Sequence, residues 1–230
     1  MANRVFLVRH GENPANILRM FSYKKVDFPL NEKGILQAEQ TAAYFKHIHL
    51  DQIYSSPLRR AVDTANIIAA PHHLPVHIVE NFRELNVGDL EGQPVTAEIW
   101  DFHDTILAAW ENGNPDISFP GGEDLHTLQT RMRRGLEDIL RGSDGKTILV
   151  VGHITLFTFS VSNLCPGISI SFLRQKRSRN ASIAELELNW VKDTLTGRLL
   201  RWADGSHLEG AAAEPVPPST TAPSRVNQTD

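Results

Sequence analysis

Short apolar runs alternate with amphipathic segments along most of the chain, and this predicts strands that alternate with helices. Four apolar runs, bounded by turn or charged residues, predict strands at 4–8, 52–55, 76–79 and 147–151. The last run is apolar after its first residue, which is typical of a strand covered on both faces. Two further segments, 181–188 and 198–202, can pair as antiparallel strands across a turn at 193–197.

Apolar positions at three-to-four spacing predict helices between these strands. The first helix begins at the cap residue Asn31, the second has Pro57 in its first turn and closes near Pro71, the third spans 124–141, and the fourth begins near Thr155. This order predicts an α/β fold, with a doubly wound, mainly parallel sheet and an antiparallel edge strand. The unusually aromatic segment 94–120 has a helical period and predicts a helical insertion packed over the sheet.

The composition changes after Trp202. The last 20 residues contain four of the 13 prolines and no aromatic residue, so they offer little apolar surface to bury. We therefore expect one folded domain, residues 1–203, followed by a flexible tail rich in Pro, Ala, Ser and Thr, residues 204–230.

Charge and cysteine content narrow the function classes. Lysine and arginine total 23 against 27 acidic residues, a net charge of −4, so the chain as a whole attracts neither nucleic acid nor an anionic membrane. The single cysteine, Cys165, excludes an internal disulfide framework and a Cys-rich zinc site. No apolar run reaches membrane-spanning length, and the first residues lack a signal-peptide core. We expect a cytoplasmic protein.

Candidate chemistry follows the strands. His10 and His153 each come directly after a predicted buried strand, beside a glycine. A parallel sheet would bring both to the same edge, with Arg9 after the first strand and Arg59 and Arg60 in the helix after the second. Guanidinium groups match phosphoryl oxygens bidentately, so the sequence predicts a phosphate site. Glu84, five residues past the third strand, is an acid that could carry a proton there.

Other charged side chains are interpreted as structural. Arginines at four positions are expected on solvated helix faces: Arg59, Arg131, Arg133 and Arg134. Three histidines, at positions 72, 73 and 77, resemble a metal cluster, but no acid stands at ligand spacing, so we expect no metal there.

Several motifs resemble those of the histidine phosphatase superfamily, also called phosphoglycerate mutase-like. In chain order they are Arg9–Glu12, Pro29–Gly34, Tyr54–Ala65, Arg83–Leu85, Gly88–Gly92, Phe119–Glu123 and Val150–His153. The resemblance extends over residues 4–188 and implies a helical insertion over the active site, with no metal and no cofactor.

The resemblance also implies roles. His10 would be the nucleophile that forms a phosphohistidine, and Glu84 would protonate the leaving oxygen and later deprotonate the attacking water. The implied phosphate-binding residues are Arg9, His10, Asn16, Arg60 and His153. Arg60 is chosen over Arg59 because the family's arginine immediately precedes the alanine of this helix.

Two stretches depart from the family pattern. Residues 19–24 stand where many relatives have a Gln-Gly pair that helps to hold the phosphate, and Ile154 replaces the glycine after the second histidine. These changes concern the substrate more than the chemistry. The side chains that we expect to line the substrate pocket are Phe21, Ser22, Trp100, Ile154 and Thr155.

Three functions compete. A hydrolase would act on a small phosphorylated metabolite and release inorganic phosphate; a mutase would return the phosphoryl group to its substrate; a binding module would have an inactive site. Mutase relatives usually carry a tryptophan, a Tyr-Gly pair and a Leu-Asn-Lys stretch where this chain has residues 13–15, 86–88 and 92–94. The hydrolase is therefore favoured, a homodimer is possible, and the physiological ester stays open.

Overall fold

A single mixed sheet forms the centre of the computed structural model, which describes residues 1–176 and 178–216. Its strands are β1 (Asn3–Arg9), β2 (Gln52–Ser55), β3 (Val76–Ile78), β4 (Thr147–Gly152), β5 (Ile183–Val191) and β6 (Thr194–Asp204). Their spatial order is β3-β2-β4-β1-β5-β6. The first four in this order are parallel, whereas β5 and β6 are antiparallel additions at one side. The predicted α/β fold is confirmed.

Helices connect the strands and cover both faces of the sheet. They are α1 (Pro14–Leu18), α2 (Glu32–Phe45), α3 (Arg59–Ala69), α4 (Ala97–Glu111), α5 (Leu125–Leu140), α6 (Ile154–Leu164) and α7 (Ile170–Gln175). Asn31 caps α2 by accepting from the backbone N–H of Gly34, as its position in the sequence predicts. The short helices α1 and α7 were not predicted, because one to two turns carry too little periodicity to detect. No helix in the described part of the chain is long and apolar enough to cross a membrane.

The alternation within β1 explains why both faces are covered. Val5 and Leu7 pack with residues of α5 and α6, whereas Phe6 and Val8 pack with residues of α2 and α3. Successive strand side chains point to opposite faces, so an apolar run of this kind needs a helical layer on each side. Burying each such side chain contributes roughly 1.5–3 kcal/mol.

The insertion at 94–120 contains one helix, α4. Thr96 caps it by accepting from the backbone N–H of Ile99. Trp110 and Phe119 are buried in the core, and Trp110 Nε1 donates to the carbonyl of Ile117 at 2.6 Å. The aromatic content that marks this segment in the sequence thus anchors the insertion to the domain.

The folded part of the chain continues past the predicted boundary at residue 203. Leu208 and Ala212 are buried against Ala181, and Gln37 Nε2 donates to the carbonyl of Ala212 at 3.1 Å. The prediction of a tail from residue 204 is wrong for 204–216, because a few small apolar groups and backbone hydrogen bonds suffice to dock a short segment. Residues 217–230 of the predicted tail lie outside the described residues.

Candidate active site

The carboxyl ends of β1, β2 and β4 lie side by side and bring the two histidines together. Arg9 is paired with Gly152, and Ser55 with Val151, so the residues that follow these strands meet at one edge. The rings of His10 and His153 have centroids 5.1 Å apart. This is the convergence that the strand pattern predicts.

Arg60 lies between the two histidines. Its Nε donates to His10 Nε2 at 3.1 Å, and its Nη2 donates to His153 Nδ1 at 3.2 Å. Arg60 is buried, whereas Arg59 is exposed, because consecutive helical residues point in different directions. Of the two arginines, the structure brings only Arg60 to the histidines.

His10 has a defined tautomer. Because the guanidinium of Arg60 can only donate, His10 Nε2 is the acceptor, and Nδ1–H donates to the carbonyl of Gly11 at 2.7 Å. Burial, together with the charges of Arg60 and Arg9, lowers the pKa of His10 well below 6.5. The ring is therefore neutral at neutral pH, with a lone pair on Nε2, as a nucleophile requires.

His153 is hydrogen-bonded to Arg60 and does not line the cavity that opens beside His10. Its Nδ1 accepts from Arg60, and its Nε2–H donates to Ser56 Oγ at 2.7 Å. Burial and the charge of Arg60 lower the pKa of His153 well below 6.5. The His153 ring thus links the guanidinium of Arg60 to Ser56 and holds the guanidinium in place.

Arg9 is a partly buried cation with a buried donor that has no hydrogen-bond partner among the described residues. Its Nη1 donates to the carbonyl of Ser178 at 2.7 Å, while its Nε has no partner among the described residues. Burial lowers the pKa of Arg9 to about 10, against the opposing influence of Glu84 and Glu12, so the guanidinium stays charged at neutral pH. A partly buried cation with a free donor suits an anionic ligand.

Glu84 lies against the start of α6. One carboxylate oxygen accepts from the backbone N–H groups of Leu85 at 2.8 Å and Leu156 at 3.0 Å, and the other accepts from Thr155 at 3.4 Å. Glu84 also lines the cavity that Arg9 lines. The acid is thus held beside the cations by the first turn of the helix.

The prediction that Arg131 lies on a solvated helix face is wrong. Its guanidinium makes a two-armed ion pair with Glu123 and donates to the carbonyls of Asn81, Arg83 and Glu84 at 2.6–2.9 Å. The helical period of α5 could not reveal the three carbonyl partners, because they belong to a loop more than 45 residues earlier in the chain. Arg131 therefore secures the loop that carries Glu84.

The other three arginines that the sequence places on solvated helix faces do not line the cavity beside His10. Arg59 and Arg134 are exposed, as predicted, but Arg133 donates to the carbonyl of Leu195 at 2.6 Å and is not fully solvated. Within residues 1–176 and 178–216, no group of three or more His, Cys, Asp or Glu side chains could hold a metal ion.

A cavity of about 190 Å³ opens beside His10. All five side chains predicted for the substrate pocket line it: Phe21, Ser22, Trp100, Ile154 and Thr155. Further lining residues that the sequence did not single out are Met20, Leu85, Val87 and His103. His103 could have been found, because it stands one helical turn from Trp100 on α4.

One wall of the cavity is aromatic. Phe21 lies 4.5 Å from Trp100 and 4.9 Å from His103, measured between ring centroids. Asn16 lines the cavity on another side; its Oδ1 accepts from Asn180 Nδ2 at 2.9 Å and from the backbone N–H of Asn13 at 3.1 Å. With the oxygen so engaged, the amide nitrogen of Asn16 is the group able to donate to a ligand.

The buried histidines make stability depend on pH. Unfolding restores ordinary pKa values to His10 and His153, so the unfolded chain takes up more protons below about pH 6.5. The free energy of unfolding should therefore fall as the pH falls from 7 to 5.5, by up to about 1.4 kcal/mol per pH unit for each histidine.

Urea unfolding at several pH values would measure this slope. A His153→Gln variant should lose part of it, whereas the same change at the exposed His47 should not. A wild-type unfolding free energy that is flat between pH 7 and 5.5 would contradict the expectation.

The α/β fold and the site of two histidines and two arginines define a class of protein. Comparison with known proteins identifies that class. The family model of the histidine phosphatase superfamily (branch 1) matches residues 5–202. The chain belongs to the histidine phosphatase superfamily.

Individual relatives include both phosphatases and mutases by name. The chain is 32% identical over 206 residues to an uncharacterized phosphatase, PhoE, of Bacillus subtilis (strain 168), covering 90% of this chain and 97% of the relative. It is 31% identical over 212 residues to a probable phosphoglycerate mutase, GpmB, of Enterobacter sp. (strain 638), covering 92% and 97%. The structure of phosphoserine phosphatase from Entamoeba histolytica in complex with 3-phosphoglyceric acid has a TM-score of 0.72 and 25% identity, covering 90% of this chain and all of that one.

Proposed function

We propose that this protein hydrolyses phosphomonoesters of small metabolites through a phosphohistidine formed on His10. The observation that carries the proposal is the position of His10, whose Nε2 accepts from the buried guanidinium of Arg60 at 3.1 Å and whose ring lies close to the charge of Arg9. A nucleophile without charge next to two fixed cations suits attack on a phosphate dianion.

In the first step, His10 Nε2 attacks phosphorus and the ester P–O bond breaks. Arg60 Nε must then move its hydrogen bond from His10 Nε2 to a phosphoryl oxygen, which frees the lone pair. Glu84 gives a proton to the leaving oxygen, and the product alcohol departs. Arg9 and Arg60 stabilise the negative charge on the equatorial oxygens.

In the second step, water attacks the phosphohistidine and Glu84 accepts its proton. The N–P bond breaks, inorganic phosphate forms, and His10 returns to its neutral state. The two arginines supply the positive charge that Mg²⁺ supplies in kinases, so we propose that hydrolysis needs no metal. Activity should therefore persist after exhaustive treatment with a chelator.

The cavity favours a hydrolase over a mutase. Among the described residues that line it, the fixed cations are Arg9 and Arg60, and both lie beside His10. The lining also includes Phe21, Trp100 and other apolar groups. A phosphoglycerate would need a further cation for its carboxylate, so the lining suits an ester with one anionic group.

A panel assay tests the function directly. Release of inorganic phosphate would be measured across aryl, sugar and amino-acid phosphates, and phosphoryl transfer between the positions of phosphoglycerate would be measured in parallel. We expect release of phosphate without transfer. Transfer that outpaces release would favour the alternative, phosphoryl transfer of the cofactor-dependent phosphoglycerate mutase type; one relative is named a probable phosphoglycerate mutase.

The two neighbouring arginines provide a matched pair of variants. Arg60→Ala should lower kcat/KM for an aryl phosphate by roughly 10²- to 10³-fold, the usual cost of losing one preorganised donor. Arg59→Ala should change it by no more than a few-fold, because Arg59 is exposed. Equal losses in the two variants would contradict the assignment of Arg60 to the phosphate.

A further inference from the structure

Glu91 makes an unusual set of hydrogen bonds near the site. Its Oε1 accepts from four consecutive backbone N–H groups: Tyr23 at 2.6 Å, Lys24 at 2.7 Å, Lys25 at 2.9 Å and Val26 at 3.1 Å. Glu91 itself is only 6% exposed. One buried carboxylate oxygen thus organises the whole turn at residues 22–26.

The charge of Glu91 matters to this arrangement. Burial by itself would raise the pKa of Glu91, but the four backbone N–H groups outweigh that influence and lower it. The group is anionic at neutral pH, and convergent N–H groups of this kind form a concave anion site within the backbone. Removing the carboxylate would leave four consecutive backbone donors without this acceptor.

The same turn holds Arg60 at its other end. Arg60 Nη1 donates to Ser22 Oγ at 2.6 Å, and Nη2 donates to the carbonyl of Ser22 at 3.0 Å. The hydroxyl of Ser22 in turn donates to the carbonyl of Val26, a residue that Glu91 binds. An unbroken series of hydrogen bonds therefore joins Glu91 to the guanidinium beside His10.

We propose that Glu91 is a positioning residue for Arg60. Its carboxylate fixes the turn at 22–26, and Ser22 then sets the plane of the guanidinium so that Nε and Nη2 face His10 and His153. The inference rests on the proposed function, in which Arg60 binds the phosphoryl group. It also gives a structural role to residues 22–24, part of the stretch 19–24 in which the sequence departs from the Gln-Gly pair of many relatives.

A double-mutant cycle tests whether Glu91 acts through Arg60. Glu91→Gln should raise the Kd for inorganic phosphate and lower kcat/KM for an aryl phosphate by roughly 10- to 100-fold, the cost of disturbing a charge-assisted hydrogen bond. In an Arg60→Ala background the same change should cost almost nothing more. Glu187→Gln, which removes an exposed ion pair with Arg198, is the control.

Ser22→Ala keeps the experiment informative if Glu91→Gln does not fold. It removes the hydroxyl that accepts from Arg60 and should cost a few-fold, a loss that should also vanish in the Arg60→Ala background. Equal losses with and without Arg60, or no loss in either variant, would overturn the proposal. The Kd for inorganic phosphate, measured by calorimetry, tests the role of Glu91 independently of hydrolysis. If the wild type hydrolyses no ester, the hydrolase proposal fails, but the Kd values of the variants still show whether Glu91 acts through Arg60.

Discussion

Replacement of His10 with alanine is expected to abolish turnover, with a loss of roughly 10⁴- to 10⁶-fold, the range found when a covalent nucleophile is removed. The reason is geometric as well as chemical. His153, the other imidazole of the pair, is fully buried and does not line the cavity, so it is not placed to substitute.

Trapping experiments would identify the nucleophile. Labelled aryl phosphate, quenched within one turnover, should give an acid-labile, base-stable adduct in the wild type and none in His10→Ala. A His77→Ala variant, which removes an exposed histidine, should keep the adduct. An adduct on serine or cysteine, or one that persists without His10, would contradict the mechanism.

Substitution of Glu84 with glutamine should separate a chemical role from a structural one. Glutamine keeps the shape of the side chain and an oxygen able to accept from Leu85 and Leu156, but it has no proton to give. Hydrolysis of an alkyl phosphate should therefore slow by roughly 10²- to 10⁴-fold, the usual contribution of a general acid. An aryl ester whose phenolate leaves unaided should lose much less in its first step.

The measurement must isolate that first step, because the proposed mechanism also gives Glu84 a role in the second step, as the base that activates water. Burst kinetics with the aryl ester follow phosphohistidine formation alone. Equal losses for both esters in this step would exclude protonation of the leaving group. Neither Glu12, which is bound by Asn31 and Lys33, nor Asp89 lines the cavity, so these two carboxyl groups are poorly placed as substitutes.

The apolar runs determined much of the fold. The predicted strand 52–55 coincides with β2, and the predicted cap residue Asn31 marks the start of α2. Such features depend on the residues of one segment, so the order of apolar and polar residues along that segment predicts them. The tail boundary was misjudged because the docking of Ala212 depends on Gln37, a residue far away in the chain.

The candidate active site also has features that the sequence determined and features that only the tertiary structure decided. The sequence by itself determined that His10 and His153 follow buried strands, and its motifs distinguished Arg60 from Arg59. Only the tertiary structure decided that His153 binds Arg60 without lining the cavity. It also decided that Arg131 secures the loop that carries Glu84, and that Glu91 organises the turn that contains Ser22. The last two are bonds to backbone carbonyl and N–H groups, which nearly all residues have in common, so the pattern of side chains does not show which of them will meet.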